Sequence, residues 1–185
     1  MEKSKTKLIG GGIATAVIAI ALVIGFSYPQ EKQGIIIQEI DLPGPKIGSS
    51  APDFTLVDPQ KGAITKQSFD GKPLFIFFTA TWCTPCQIGS QNLAKYDMEK
   101  GDDAFNVLIV FVDDKETDEQ FVQWKQKFGR DDWYVAKGID MAKTYEVQQL
   151  DTKYVFDKTG LVQWKDISPL SYDLINPVME SLLKS

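Results

Sequence analysis

The chain has 185 residues, 20 basic against 25 acidic side chains, a net charge of −5 and no histidine. That length, less an anchor and a tether, holds one globular domain with a sizeable core. A mildly acidic balance argues against a nucleic-acid partner. Two cysteines without histidine cannot supply the four ligands of a closed structural zinc site in one chain; neither a metal nor a cofactor is expected.

Residues 1–7 carry Lys3, Lys5 and Lys7 against Glu2 alone, and residues 8–26 then run nineteen positions without a charge. Such a run is just long enough to cross a bilayer core as a helix. Gly25-Phe26-Ser27 is a poor substitute for the small-residue site of a cleaved signal. A single-pass anchor over 8–26 is therefore expected, with Tyr28 at the membrane interface. Lysines on the short side predict that 1–7 stay in the cytoplasm and the rest faces outward, where disulfide chemistry is open. Beyond Glu31, 17 basic and 23 acidic residues leave a charge of −6. Residues 27–46 read as a tether, with an edge strand at 34–40 and breakers in Pro43-Gly44-Pro45. The globular domain is assigned to 47–185.

Within that domain, 54–57 and 63–65 read as a hairpin, 66–69 as a short turn and 74–78 as an apolar strand. A helix follows over about 85–99, closed by Gly101. Residues 105–112 form a continuous apolar run, the mark of a strand buried on both faces. Thr117-x-x-Gln120 resembles a capping box opening a helix with Phe121, Trp124 and Phe128 on one side. A short strand at 133–136, a helical turn at 141–145, a hairpin of 153–156 with 161–165 and an amphipathic helix at 170–183 complete the chain. Strands alternating with helices, then a terminal hairpin and helix, predict an α/β fold with a central mixed sheet flanked by helices.

The only cysteines, Cys83 and Cys86, sit in Trp82-Cys83-Thr84-Pro85-Cys86, directly after the strand 74–78. That order places Cys83 at the exposed start of a helix and Cys86 one turn inside it. Unpaired N–H groups and the positive end of the helix dipole point at the first sulfur and favour thiolate, the nucleophile of disulfide exchange. A purely structural bridge across two residues closes almost no loop and stabilises little. The pair reads as a reversible dithiol/disulfide switch.

Four segments across roughly 47–183 together resemble the thioredoxin superfamily, in its membrane-anchored TlpA-like and redoxin (AhpC/TSA-type) branch. They are Ile47-Gly48-x-x-Ala51-Pro52-Asp53-Phe54-x-Leu56, Gly71-Lys72-Pro73 with the strand and Trp-Cys-Thr-Pro-Cys, Val112-Asp113-Asp114, and Tyr145-Glu146-Val147 leading to Asp157-Lys158-Thr159-Gly160. The resemblance implies a thioredoxin-like fold, Cys83 as attacking and Cys86 as resolving cysteine. It also implies client contact by Trp82, Thr84, Pro85 and the residue at Asp151, protein thiols and disulfides as clients, and an outside electron donor or acceptor.

Two departures stand out. The family places a cis-proline where this chain has Asp151, and a non-proline cis bond costs about 3 kcal/mol, so a trans bond is expected. A carboxylate close to Cys83 would raise its pKa; otherwise Asp151 faces solvent. Many members also keep a buried acid beneath the disulfide. Here the strand is apolar and Cys86 is followed by Gln87-Ile88-Gly89-Ser90, so no proton acceptor is legible and water is left to carry the proton.

The leading expectation is an extracytoplasmic, membrane-anchored thiol–disulfide oxidoreductase. The alternatives are a peroxiredoxin-like peroxide reductase and a Cu(I)-binding assembly module. The first needs a threonine three residues before the reactive cysteine and a nearby arginine, whereas Ala80 holds that place and the only arginine is Arg130. The second suits two thiolates, but that family uses wider cysteine spacing and a histidine.

Overall fold

The computed structural model of the protein describes residues 42–101 and 103–184. The expected anchor and the strand at 34–40 lie outside the described residues. Among the described residues no helix is long and apolar enough to cross a membrane.

The chain runs β1 (Thr55–Asp58), β2 (Gly62–Thr65), a 3-10 turn (Lys66–Phe69), β3 (Leu74–Thr79), α1 (Thr84–Lys100), β4 (Asn106–Phe111), α2 (Asp118–Phe128), β5 (Tyr134–Lys137), α3 (Ile139–Thr144), β6 (Thr152–Phe156), β7 (Val162–Asp166) and α4 (Tyr172–Leu183). The central sheet has the order β5-β4-β3-β6-β7, and β1 and β2 form a separate two-stranded ribbon. β3 pairs parallel with β4 and antiparallel with β6, so the sheet is mixed.

β3 is central because every side chain in Leu74–Thr79 can be buried, and all six are. Its alternation divides the core. Phe75 and Phe77 face one cluster, which takes in Leu93 and Tyr96 of α1, Phe121 and Trp124 of α2 and Ile175 and Met179 of α4. Leu74, Ile76 and Phe78 face the other, with Leu56, Ile64, Phe69 and Met141 of α3. Burying each phenylalanine is worth about 1.5–3 kcal/mol over leaving it exposed. Both cysteines belong to the first cluster.

Polar side chains pin the edges. Asp58 is buried and accepts from the backbone N–H groups of Gln60 and Lys61 at 2.7 and 2.9 Å and of Val135 at 2.8 Å, tying the ribbon to β5. The expected capping box is present: Thr117 Oγ1 accepts from Gln120 N–H, and Gln120 Oε1 accepts from Thr117 N–H at 2.8 Å. Gly89 lies where α1 meets the segment before α4; a Cβ there would sit 2.9 Å from Leu170 Cβ. The last residues of the expected tether are already bound to the domain. Leu42 carbonyl accepts from Lys165 Nζ, and Gly44 N–H donates to Glu146 Oε2 at 3.0 Å.

Candidate functional site: a disulfide at the start of α1

β3 ends on Thr79, and five residues later α1 begins at Thr84. Cys83 is the N-cap, in extended conformation, with Pro85 within the first two helical positions. Proline fits there because its missing N–H belongs to the first turn, whose N–H groups have no helical partner. Cys83 N–H donates to Ala80 carbonyl at 3.1 Å, closing the turn, and Cys83 carbonyl accepts from Gln87 N–H at 3.0 Å. Cys83 and Cys86 form a disulfide, with Cα atoms 5.3 Å apart. Cys83 is 8 % exposed and Cys86 is 0 % exposed. An incoming thiolate therefore meets Cys83 first and expels Cys86, while the helix start supplies the field that favours the Cys83 thiolate once the pair is reduced.

Trp82, Thr84 and Pro85 stand exposed around the bridge. Trp82 is 64 % exposed and its indole N–H donates to Asp113 Oδ2 at 2.9 Å. The Lys115 backbone N–H first, then this indole, hold the Asp113 carboxyl below the usual aspartate range. An open trough of about 420 Å³ runs beside Trp82, lined by Ala80, Val112, Asp113, Asp114, Ile139 and Leu150. Gln87 Nε2 donates to Thr81 carbonyl at 2.7 Å, holding the turn from the helix side.

Asp151 lies in the loop opposite, its N–H donating to Phe78 carbonyl at 3.1 Å. No cis peptide bond occurs among the described residues, and Asp151 has φ 69°. Aspartate tolerates that left-handed backbone better than most residues. Its side chain does not face solvent, the second of the two placements expected from sequence. Asp151 is buried, and its Oδ1 accepts from Lys153 Nζ at 2.7 Å. Lys153 is itself fully buried, also donates to Ser168 carbonyl at 2.6 Å, and lies 5.5 Å from the centre of the Phe77 ring. Burial pushes the Asp151 carboxyl up and the Lys153 amine down, each opposed by the other's charge.

Two ionisable groups that the sequence did not single out as proton carriers lie around the disulfide turn and the strand beside it. Lys153 sits directly across the sheet from Phe77, on the cysteine side of β3. Glu116, in the loop between β4 and α2, is 5 % exposed and its Oε1 accepts from both N–H and Oγ1–H of Thr81, each at 2.5 Å. Lys153 carried a readable signal: it is a lone cation among the apolar residues of the expected strand 153–156. Glu116 carried none, being one charge in the polar run Asp113-Asp114-Lys115-Glu116.

Arg130 is not at the site. Its Nε lies 3.1 Å from Asp97 Oδ2, thirteen residues along α1 from Thr84 and so about 20 Å away along the helix.

Comparison with known proteins agrees with this geometry. The AhpC/TSA family matches residues 47–165. The thiol-disulfide oxidoreductase ResA of Bacillus thuringiensis subsp. konkukian is 36 % identical over 125 residues, covering 63 % of this chain and 67 % of ResA. A thioredoxin-family thiol:disulfide interchange protein from Chlorobium tepidum superposes with a TM-score of 0.64 at 19 % identity, over 75 % of this chain and 98 % of that one. A SCO1/SenC family lipoprotein from Bacillus anthracis gives 0.61 at 22 %, over 73 % and 95 %. At such identities these two structures establish the thioredoxin-like fold alone. The family match and the ResA identity go further: the chain belongs to the AhpC/TSA family, as a redoxin-type member of the thioredoxin superfamily.

Proposed function

We propose that this protein is a membrane-anchored thiol–disulfide oxidoreductase acting outside the cytoplasm on protein clients. The single observation that carries the reading is the asymmetric bridge: Cys83, at the N-cap of α1, keeps 8 % exposure and Cys86 is wholly buried behind it. In the reduced protein, Cys83 thiolate attacks a client disulfide. A Cys83–client S–S bond forms, and the departing client thiolate takes a proton. Cys86 then loses its proton and attacks Cys83 Sγ, closing the bridge and releasing the second client thiolate. Two electrons pass to the client, and an external dithiol must restore the pair. The same steps reversed oxidise clients.

Trp82, Thr84 and Pro85, with the trough toward Leu150, form the surface a client segment meets. Asp151 borders this surface with its polar groups already engaged: its carboxylate and carbonyl accept from Lys153, and its N–H donates to Phe78. The peroxidase alternative is disfavoured by Ala80 before the cysteine and by the placement of Arg130. The anchor at 8–26 and the outward orientation rest on the uncharged run and its lysine flank.

One experiment addresses role and location together. In cells expressing the full chain, Cys86→Ser should accumulate mixed disulfides in carbonate-washed membranes and Cys83→Ser should not, and the share of Cys86→Ser that is not trapped, with its Cys83 thiol free, should react with a non-permeant thiol reagent before lysis. Equal trapping by both variants would refute the cysteine roles. Recovery in the carbonate supernatant, or labelling only after lysis, would refute the anchor or its orientation.

A further inference from the structure

The loop between β4 and α2 delivers two carboxylates to the turn that leads into Cys83. Asp113 meets the Trp82 indole in the open. Glu116 behaves differently. It is 5 % exposed, its Oε1 takes both donors of Thr81, and its Oε2 is buried with no hydrogen-bond partner. A buried carboxylate oxygen left without a donor costs stability, so its retention asks for an explanation. The explanation offered by position is electrostatic. Thr81 lies two residues before the nucleophile, and a charge out of solvent is poorly screened.

We propose that Glu116 is a positioning residue for the redox pair: it fixes the Thr81–Trp82 turn, and its negative charge opposes the field of the α1 N-terminus at Cys83. The reasoning rests on the oxidoreductase reading. A negative charge beside Cys83 disfavours its thiolate. Thiolate stabilisation is what makes a dithiol hard to oxidise, so opposing it biases the pair toward the disulfide and makes it a stronger reductant.

The other charged groups facing the turn do not supply this effect. Asp114 and Lys115 are exposed, and Asp113 is half-buried with its carboxylate at the solvent edge, held by the Trp82 indole and the Lys115 N–H. Lys137 Nζ is taken by Asp114 carbonyl at 3.0 Å. Asp151 is paired with Lys153. The first turn of α1 contributes Thr84, Pro85 and Gln87, none of them charged.

The test is thiolate absorbance against pH on the full chain, reduced with a phosphine, joined to equilibration in glutathione buffers. Glu116→Gln keeps the shape and the acceptor for Thr81 N–H but removes the charge. It should lower the Cys83 pKa by about half to one unit and shift the glutathione equilibrium about three- to tenfold toward dithiol. Glu116→Asp, which withdraws the charge by one methylene, should move both readouts the same way by less, and serves if the glutamine variant does not fold. Thr81→Val removes the hydroxyl bond and leaves the charge, and should move neither. A Glu116→Gln protein that titrates like the parent overturns the proposal, as does an equal shift from Thr81→Val. Failure of the parent to exchange with glutathione would count against the oxidoreductase reading alone, because the absorbance titration still reads Glu116.

Discussion

At the residue scale, the ionisable groups around the disulfide are each held by specific partners. Lys153 is the extreme case: an amine with no solvent exposure, donating to Asp151 Oδ1, the Asp151 carbonyl and the Ser168 carbonyl, with Asp166 Oδ1 3.9 Å away. Its replacement by methionine leaves a buried carboxylate without its cation, which should cost about 3–5 kcal/mol. Asp151→Asn combined with Lys153→Met should recover most of that loss, because both charges then leave together. Urea unfolding of the two single variants and the double variant closes the cycle, and additive losses would show that the pair is not coupled. The cysteines and Trp82 were legible in the sequence because Trp-Cys-x-Pro-Cys after an apolar strand has few other readings. Asp151 was legible only as a departure from pattern. Whether its carboxylate turned out to water or in to Lys153 depended on β6 lying beside β3, a long-range pairing that no local period encodes.

Elements were read more reliably than their partners. β3 and β4 announced themselves as continuous apolar runs and are buried throughout apart from the half-buried Asn106. The box at Thr117 located the start of α2. What the sequence hid is how tightly α1 sits against the segment before α4. Gly89 lies inside the helix, and a Cβ there would crowd Leu170. Alanine gains about 1 kcal/mol of helix propensity over glycine, but forcing an atom into a packed contact costs about 1–3 kcal/mol. Gly89→Ala should therefore lose about 1 kcal/mol net, read as a lowered thermal midpoint. A raised midpoint would mean that Leu170 yields easily.

At the scale of the whole molecule, the two core faces are closed by helices whose ends are joined by charges. Glu180 of α4 is bonded to Lys100 of α1 and to Lys184, and these hydrogen bonds, with the attraction of both cations, hold its carboxyl at about 2. Asp53 and Asp113 are lowered too, by Lys66 and by the Lys115 N–H respectively. A carboxyl lowered in the folded state stabilises it above the unfolded value near 4.5 for glutamate and 3.8 for aspartate, and loses that contribution as pH falls through the folded value. Stability should thus decline from about pH 5 downward, and Glu180→Gln should decline less steeply in urea midpoints between pH 5 and pH 2; identical slopes would remove Glu180 from the account. Above all, a slightly exposed cysteine at the helix N-cap backed by a fully buried one is the arrangement that a reversible two-electron carrier needs. The measurement that tests this most directly is equilibration of the full chain across glutathione buffers, with acid quenching and mass analysis after alkylation. A single reversible transition between no alkylated cysteine and two, reached equally from the oxidised and the reduced side, is the predicted result. A bridge that stays closed across the range, or that once opened does not reform, would contradict it.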